Sequence, residues 1–387
     1  MDYNKVLDKV STPCYVFDIN NLKNRISYLK SKFNKEFNLV YAVKANSFIA
    51  KELDEDVERF EICSPGEFEI CNNLGIDHSK MVISGVYKDY ESINKMVSNY
   101  DDIGKYTIES INQYELLKEL ATKYNRKLHI LIRLTSGNQF GVTEEELKDI
   151  IKNNDNDHFV IDGIEYFSGT QKRIKKIERE IEYLEEFVNN IESELNFKIN
   201  EIEYGPGLPI YYFQDEEFDE DSFLDEVNSL LSRFKDKEIS IESGRSIASS
   251  CGYYLTKVSD MKSNKNGNHV ILDGGINHLV YYGQTMAMRI PHFDLLQANK
   301  EDEKETYTLY GSLCTINDII VKSLEVNKLH LGDIFVFKNV GAYSVTEGIS
   351  LFLSRNLPNV VLYKSDGEII VVRNNKNTYE INYPNYE

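Results

Sequence analysis

Between Leu39 and Glu242, short apolar and β-branched runs recur eight times with helix-forming segments between them. The runs are Leu39–Val43, Phe60–Cys63, Met81–Ser84, Tyr106–Ile108, His129–Leu134, Gly163–Phe167, Ile202–Tyr204 and Ile239–Glu242. Runs of this length and composition read as buried strands. Helices are predicted at Pro65–Leu74, Glu91–Ser98, Ile111–Tyr124, Thr143–Asn153, Gln171–Leu195 and Asp219–Phe234. Ile19–Phe33 precedes the set, with Leu22, Ile26, Leu29 and Phe33 at helical spacing. The alternation predicts an α/β chain with parallel strands, closed as a (β/α)8 TIM-like barrel. An open doubly wound sheet fits less well, because no G-x-G-x-x-G follows the first strand.

After Cys251 the helical periodicity fades. Short β-rich runs replace it at Tyr253–Val258, His269–Leu272, Tyr307–Leu309, Ile334–Lys338, Asn359–Tyr363 and Glu368–Val372, with turns at Asn266-Gly267 and Asp366-Gly367. These predict an all-β C-terminal domain. A strand at Thr12–Asp18 precedes the barrel and is free to return to that domain. The expected division is 25–250 for the barrel, and 1–24 with 251–387 for the β-rich domain. The acidic stretch Gln214–Asp221 reads as a solvated loop. The basic run Gln171–Arg179 reads as charges coating a helix.

The net charge of −19 argues against nucleic acid or an anionic membrane as a partner. A phosphorylated ligand stays compatible, since backbone N–H groups can hold it. No apolar run approaches the roughly 18 residues of a membrane span, and Met1–Ser11 is polar and of mixed charge, unlike a signal peptide. A cytoplasmic protein is expected. Cys14, Cys63, Cys71, Cys251 and Cys314 are scattered without a C-x-x-C pair, and the seven histidines include no H-E-x-x-H. Neither a disulfide framework nor a metal site is expected.

Catalytic groups of a barrel gather at the C-terminal ends of its strands. Lys44 ends the first strand, in Tyr41-Ala42-Val43-Lys44-Ala45-Asn46-Ser47, and Glu242 ends the eighth. Desolvation at a strand end lowers a lysine pKa, and a neutral amine can form a Schiff base with a carbonyl. The plainer alternative is a lysine that ends a strand and points to water. Gly205-Pro206-Gly207 follows strand seven and Gly244-Arg245 follows strand eight, where such barrels bind phosphate. A lysine, a carboxylate and a phosphate cradle at one mouth suggest pyridoxal 5'-phosphate.

Taken together, these residues resemble the barrel-fold pyridoxal-phosphate decarboxylases, the group of ornithine, arginine and diaminopimelate decarboxylases, over nearly the whole chain. Tyr41–Ser47 resembles their Schiff-base lysine motif. Glu242-Ser243-Gly244-Arg245 resembles E-P-G-R with serine for proline. Gly311–Asp318 (GSLCTIND) resembles G-P-x-C-x-S-x-D, and Gly341-Ala342-Tyr343 matches G-A-Y. The resemblance implies roles. Lys44 would anchor the cofactor and Glu242 would contact its pyridine nitrogen. Gly205, Gly207, Gly244, Arg245 and Tyr343 would hold its phosphate. Cys314 would donate a proton after CO2 leaves, from the second subunit of a homodimer, and Asp318 would lie near the substrate's distal end. Two plainer readings stay open: Cys314 as a buried structural thiol, and Tyr343 as a core aromatic.

The departures bear on the substrate. Where the resembling family has G-x-H-x-H-x-G-S, this chain reads Gly163-Ile-Glu-Tyr-Phe-Ser-Gly-Thr, so Phe167 replaces the histidine that stacks on the cofactor ring. An aromatic ring can still stack, but it neither titrates nor donates. Gln139-Phe140-Gly141 replaces K-F-G. Phe-Ser-Gly-Thr-Gln resembles a branch acting on conjugated or carrier-protein-borne amino acids. Arg289 is a candidate for a substrate carboxylate; a surface arginine is the alternative. Decarboxylation of an amino acid or its conjugate is the expected reaction. An amino-acid racemase, which would pair the pyridine nitrogen with arginine, and a non-catalytic cofactor-binding protein are the alternatives.

Overall fold

The computed structural model describes residues 1–297 and 303–386. The chain divides into two compact units: Ile26–Pro209 with Asp219–Ser246, and Met1–Arg25 with Ile210–Phe218 and Ile247–Glu387.

The first of these is a closed barrel. Its strands are β2 (Asn38–Ala42), β3 (Arg59–Ile62), β4 (Met81–Ile83), β5 (Lys105–Ile108), β6 (Leu128–Arg133), β7 (Phe159–Phe167), β8 (Glu201–Gly205) and β9 (Glu238–Ser243). All neighbours pair in parallel, and β2 closes on β9 with Val40 opposite Glu242. The helices α3 (Pro65–Asn73), α4 (Tyr90–Asn99), α5 (Ile111–Tyr124), α6 (Glu144–Lys152), α7 (Ile174–Leu195) and α8 (Glu220–Leu231) form the outer layer. Their starts are set by side-chain caps. Ser64, Asp89, Ser110 and Asp219 each accept an amide from the first turn, and Thr143 with Glu146 forms a complete capping box. Each such cap is worth about 1 kcal/mol. In α7, Ile177, Ile181, Leu184, Val188 and Ile191 form the buried stripe.

The barrel interior is charged as well as apolar. Arg59, at the start of β3, pairs with Glu201 and Glu238, and Lys105 at the start of β5 lies 2.8 Å from Glu201. A second set, at the opposite strand ends, is the candidate site.

Among the described residues, the other unit is a nine-stranded mixed sheet. β1 (Cys14–Asp18) is fully buried, pairing antiparallel with β10 (Gly252–Asn264) and parallel with β16 (Asn359–Tyr363), so the N-terminal strand does join the C-terminal domain. β11 (Gly267–Leu272), β13 (Lys304–Tyr310) and β14 (Ile319–Asn327) extend one side, and β17 (Ile369–Arg373) ends the other. β12 (Phe293–Leu296) pairs with β15 (Ile334–Lys338), which pairs with β10. The sequence patterns omit β12 and β14. The acidic stretch does more than face solvent. Gln214 N donates to Ile290 O at 2.9 Å, and Asp215 and Glu216 pair with Arg289. Those contacts draw Ile210–Phe218 into the β-rich unit.

Candidate active site

Lys44 lies just beyond β2, in a single 3-10 turn at Val43–Ala45. Tyr41 Oη donates to Asn46 O at 2.9 Å, and the Asn46 side chain caps the following turn through the Phe48 amide, fixing the segment. The Lys44 side chain remains 35% exposed, so the desolvation expected of a strand end is incomplete. Carboxylates dominate its surroundings instead. Nζ donates to Glu61 and lies 3.4 Å from Glu242 Oε1, with Cys63 Sγ at 3.5 Å. Glu61 is also the nearest group to receive the proton Lys44 must lose before it can act as a nucleophile.

Glu61 and Glu242 are hydrogen-bonded to each other. Burial pushes both carboxyls up, but Lys44 pulls Glu61 below the ordinary carboxylate range. Burial and then the Glu61 charge raise Glu242 to about 8. At neutral pH, therefore, Glu242 holds a proton and Glu61 carries the charge.

More buried charge adjoins this pair. Arg133, at the end of β6, donates to Glu109 Oε2 at 3.2 Å, and its Nε is 3.4 Å from Glu165 Oε1. The Phe140 ring covers the guanidinium at 4.7 Å. Burial lifts Glu165 to about 7 against the pull of Arg133, and lifts Glu203 strongly. Both oxygens of Glu165 and both of Glu203 are buried without a hydrogen-bond partner among the described residues. Buried polar atoms in that state call for a proton, water or a ligand. Lys88, past the end of β4, donates to Gly85 O, Thr107 Oγ1 and Gln113 Oε1, and burial lowers its pKa to about 8.

Three loops meet beside these groups. A Cβ on Gly205 would lie 2.3 Å from Phe167 Cδ2, one on Gly207 2.3 Å from Gly169 O, and one on Gly244 2.8 Å from Ala45 Cβ. Gly207 also has φ +57, a conformation that favours glycine. Phe167, at the end of β7, thus lies directly against the Gly205 backbone. Arg245 follows Gly244 and opens the short helix α9 (Arg245–Ala248).

Glu61, Cys63, Lys88, Arg133, Glu165 and Glu203 escaped the sequence reading. A usable signal was there: in Phe60-Glu61-Ile62, Ile164-Glu165-Tyr166 and Ile202-Glu203-Tyr204 a carboxylate sits between apolar residues within a strand. Lys172, assigned to a solvated helix face, is in fact buried at 3% exposure and paired with Glu180.

The β-rich unit carries the remaining candidates. Cys314 is exposed, on a loop ordered by Asp318. Asp318 is itself buried, accepting the Ile276 amide at 2.9 Å and the Leu313 amide at 2.7 Å. Its carboxylate fills the space a Cβ would take on Gly275 or Gly311. Tyr343 has φ +67, a strained value for tyrosine. Arg289 donates to Glu216 at 2.8 Å and Asp215 at 2.9 Å and lies over the Phe213 ring.

Comparisons with known proteins identify the family and the fold. A family model described as "Pyridoxal-dependent decarboxylase, pyridoxal binding domain" matches residues 19–249. The diaminopimelate decarboxylase of Methanocaldococcus jannaschii is 24% identical over 96% of this chain and 90% of its own. Its crystal structure in complex with L-lysine has the same fold, with a TM-score of 0.86 at 23% identity, over 99% of this chain and 94% of that one. The L-glutamyl-[BtrI acyl-carrier protein] decarboxylase of Niallia circulans is 26% identical over 94% of this chain and 91% of its own. The 2-[(L-alanin-3-ylcarbamoyl)methyl]-2-hydroxybutanedioate decarboxylase of Staphylococcus aureus is 25% identical, with 90% and 93% covered.

The residues present fit pyridoxal 5'-phosphate: a lysine at a barrel mouth, a proton-holding carboxyl beside it, unsatisfied carboxylate oxygens, and glycine loops too tight for a Cβ. The chain belongs to the pyridoxal-dependent decarboxylase family and is a pyridoxal-phosphate-dependent carboxy-lyase.

Proposed function

We propose that the substrate is an amino acid carried as a conjugate or on a carrier protein, and that it loses its α-carboxylate at the Lys44 mouth of the barrel. The observation that carries the siting is the Lys44–Glu61–Glu242 cluster at the strand ends. The chemistry that the bound cofactor supplies is an electron sink for the pair left when CO2 departs. Lys44 would hold the cofactor's aldehyde carbon, after passing a proton to Glu61. Glu242 holds a proton at its carboxyl and would present it to the pyridine nitrogen. Phe167 would lie against the ring. Gly205, Gly207, Gly244, Arg245 and Tyr343 would hold the phosphate.

Cys314 would return a proton to the α-carbon, and Asp318 acts by holding the Cys314 loop. We place Cys314 in the site of a partner subunit, in a homodimer. Its exposure supports this, as does Ile316 on the same loop, 88% exposed. The five unpaired cysteines suit a reducing cytoplasm.

Two relatives favour a conjugated or carrier-borne substrate: one acts on L-glutamyl-acyl-carrier protein and another on a carbamoyl-linked alanine derivative. Arg289 is already neutralised by two carboxylates, which makes it a poor partner for a substrate carboxylate.

The test is CO2 release by the holoenzyme from free amino acids (diaminopimelate, lysine, ornithine), carboxylic-acid amide conjugates and aminoacyl carrier proteins. Higher kcat/KM on a conjugate or carrier is expected. Preference for a free amino acid would overturn the substrate assignment and leave the chemistry standing.

A further inference from the structure

Lys172 lies in a basic run, yet it is buried while Arg173, Lys175 and Lys176 around it are exposed. Its backbone N–H donates to Gly207 O at 3.0 Å. Its Nζ donates to Gly205 O at 2.8 Å and to Glu180 Oε2 at 2.7 Å. One residue thus grips the carbonyls at both ends of Gly205-Pro206-Gly207.

The grip is itself supported. Glu180 sits within the apolar stripe of α7, 7% exposed, where packing alone would call for a leucine. Tyr204 Oη donates to Glu180 Oε2 at 2.6 Å, and Ser168 Oγ donates to the other oxygen. The ammonium lies 5.5 Å from the centre of the Phe167 ring and 5.0 Å from that of Tyr204. Phe167 thus packs against the Gly205 backbone and lies within reach of a cation. An ion pair buried only to stiffen a helix start would need neither glycine carbonyl. In a trans peptide the C=O and N–H point in opposite directions. Holding Gly207 O towards Lys172 therefore aims the Leu208 N–H to the other side of the loop.

We infer that Lys172 is a positioning residue that sets the conformation of the Gly205–Gly207 loop, and through it the affinity for a phosphate monoester. The inference rests on the reading of that loop as part of the phosphate site.

The test compares pyridoxal 5'-phosphate with pyridoxal, which lacks the phosphate. Both are titrated by absorbance into the full-length chain freed of cofactor, and the ratio of the two Kd values is read. In Lys172→Met the preference for the phosphorylated form should fall about tenfold, the scale of one lost charge-assisted contact, with pyridoxal binding unchanged. Equal weakening of both compounds would make Lys172 merely structural and overturn the inference, as would an unchanged ratio. Should that variant fail to fold, Glu180→Gln frees the ammonium from its partner and should lower the same ratio; no change there overturns the inference. A wild-type chain without preference for the phosphorylated compound would remove the phosphate-loop reading itself, and the inference with it.

Discussion

Glu242 and Glu61 share a hydrogen bond beside Lys44, so that of two buried carboxyls only one is charged. Lys44 neutralises Glu61, and Glu61 in turn keeps a proton on Glu242. The arrangement stores a proton at the end of β9 and an acceptor for the Lys44 proton at the end of β3. Two like charges so close cannot both ionise at low cost.

The stored proton makes the cofactor-free protein sensitive to pH. The folded value of Glu242, about 8, lies above its ordinary 4.5, so the stabilisation is complete below pH 4.5 and is lost as pH rises towards 8. Glu165, raised to about 7, acts in the same direction. The Tm of the cofactor-free chain should therefore fall from pH 5 to pH 8. Each such group contributes at most about 1.4 kcal/mol per pH unit. Glu242→Gln should reduce this slope without abolishing it, as thermal melts across that range would show. An identical slope in the variant would mean that Glu242 is not the proton store.

Replacing Lys44 with alanine should end covalent retention of the cofactor and lower kcat by about 10³-fold or more, as loss of a covalent catalytic group does. Dialysis followed by absorbance measures the first effect, and CO2 release the second. Glu61→Gln should be milder, because Lys44 keeps its place while losing its nearest proton acceptor. A drop of about 10²-fold, within the range of general-base contributions, and a displaced alkaline limb of the pH–rate profile are expected.

The barrel was legible because its strands and helices alternate with clear periods, and α5 (Ile111–Tyr124) runs over the residues its pattern marks. Lys44 and Glu242 were legible for a related reason: a strand end in a closed barrel has a known direction. Lys172 was not, since a lysine among lysines carries no local sign of burial. Its burial depends on Glu180, eight residues on, and on the loop that follows β8. β14 was missed because Ile319–Asn327 breaks its apolar alternation with Lys322, Ser323 and Glu325, all edge-compatible residues. The site's inner carboxylates show the same limit. Pattern reading treats a charge within a strand as surface, whereas here the barrel closes around it.

The Phe167–Gly205 contact gives a steric prediction. A methyl group at residue 205 would sit 2.3 Å from Phe167 Cδ2, so Gly205→Ala must tilt the ring away. Cofactor affinity should fall about tenfold, the scale of a lost aromatic contact, and adding Phe167→Ala to Gly205→Ala should cost little more, because that contact is already gone. Gly207→Ala meets backbone rather than a ring and adds strain at φ +57, so no second-site truncation should rescue it. Measured Kd values for pyridoxal 5'-phosphate across these three variants check this. A further full loss on adding Phe167→Ala to Gly205→Ala would discard the ring-contact explanation.

The position of Cys314 yields the test of assembly. The thiol is exposed in the single chain, on a loop that Asp318 holds through two backbone amides, beside an isoleucine that is 88% exposed. If that loop completes the site of a second subunit, Lys44→Ala and Cys314→Ala chains should each be nearly inactive alone. Unfolded and refolded together, they should regain CO2 release, because half-sites from different chains combine into one intact site. Asp318→Asn removes the charge that the two amides bind, and should lower kcat with little change in cofactor affinity, since it acts through the Cys314 loop. Mixed chains that stay as inactive as their parents would confine each active site to one subunit and leave Cys314 without its proposed role.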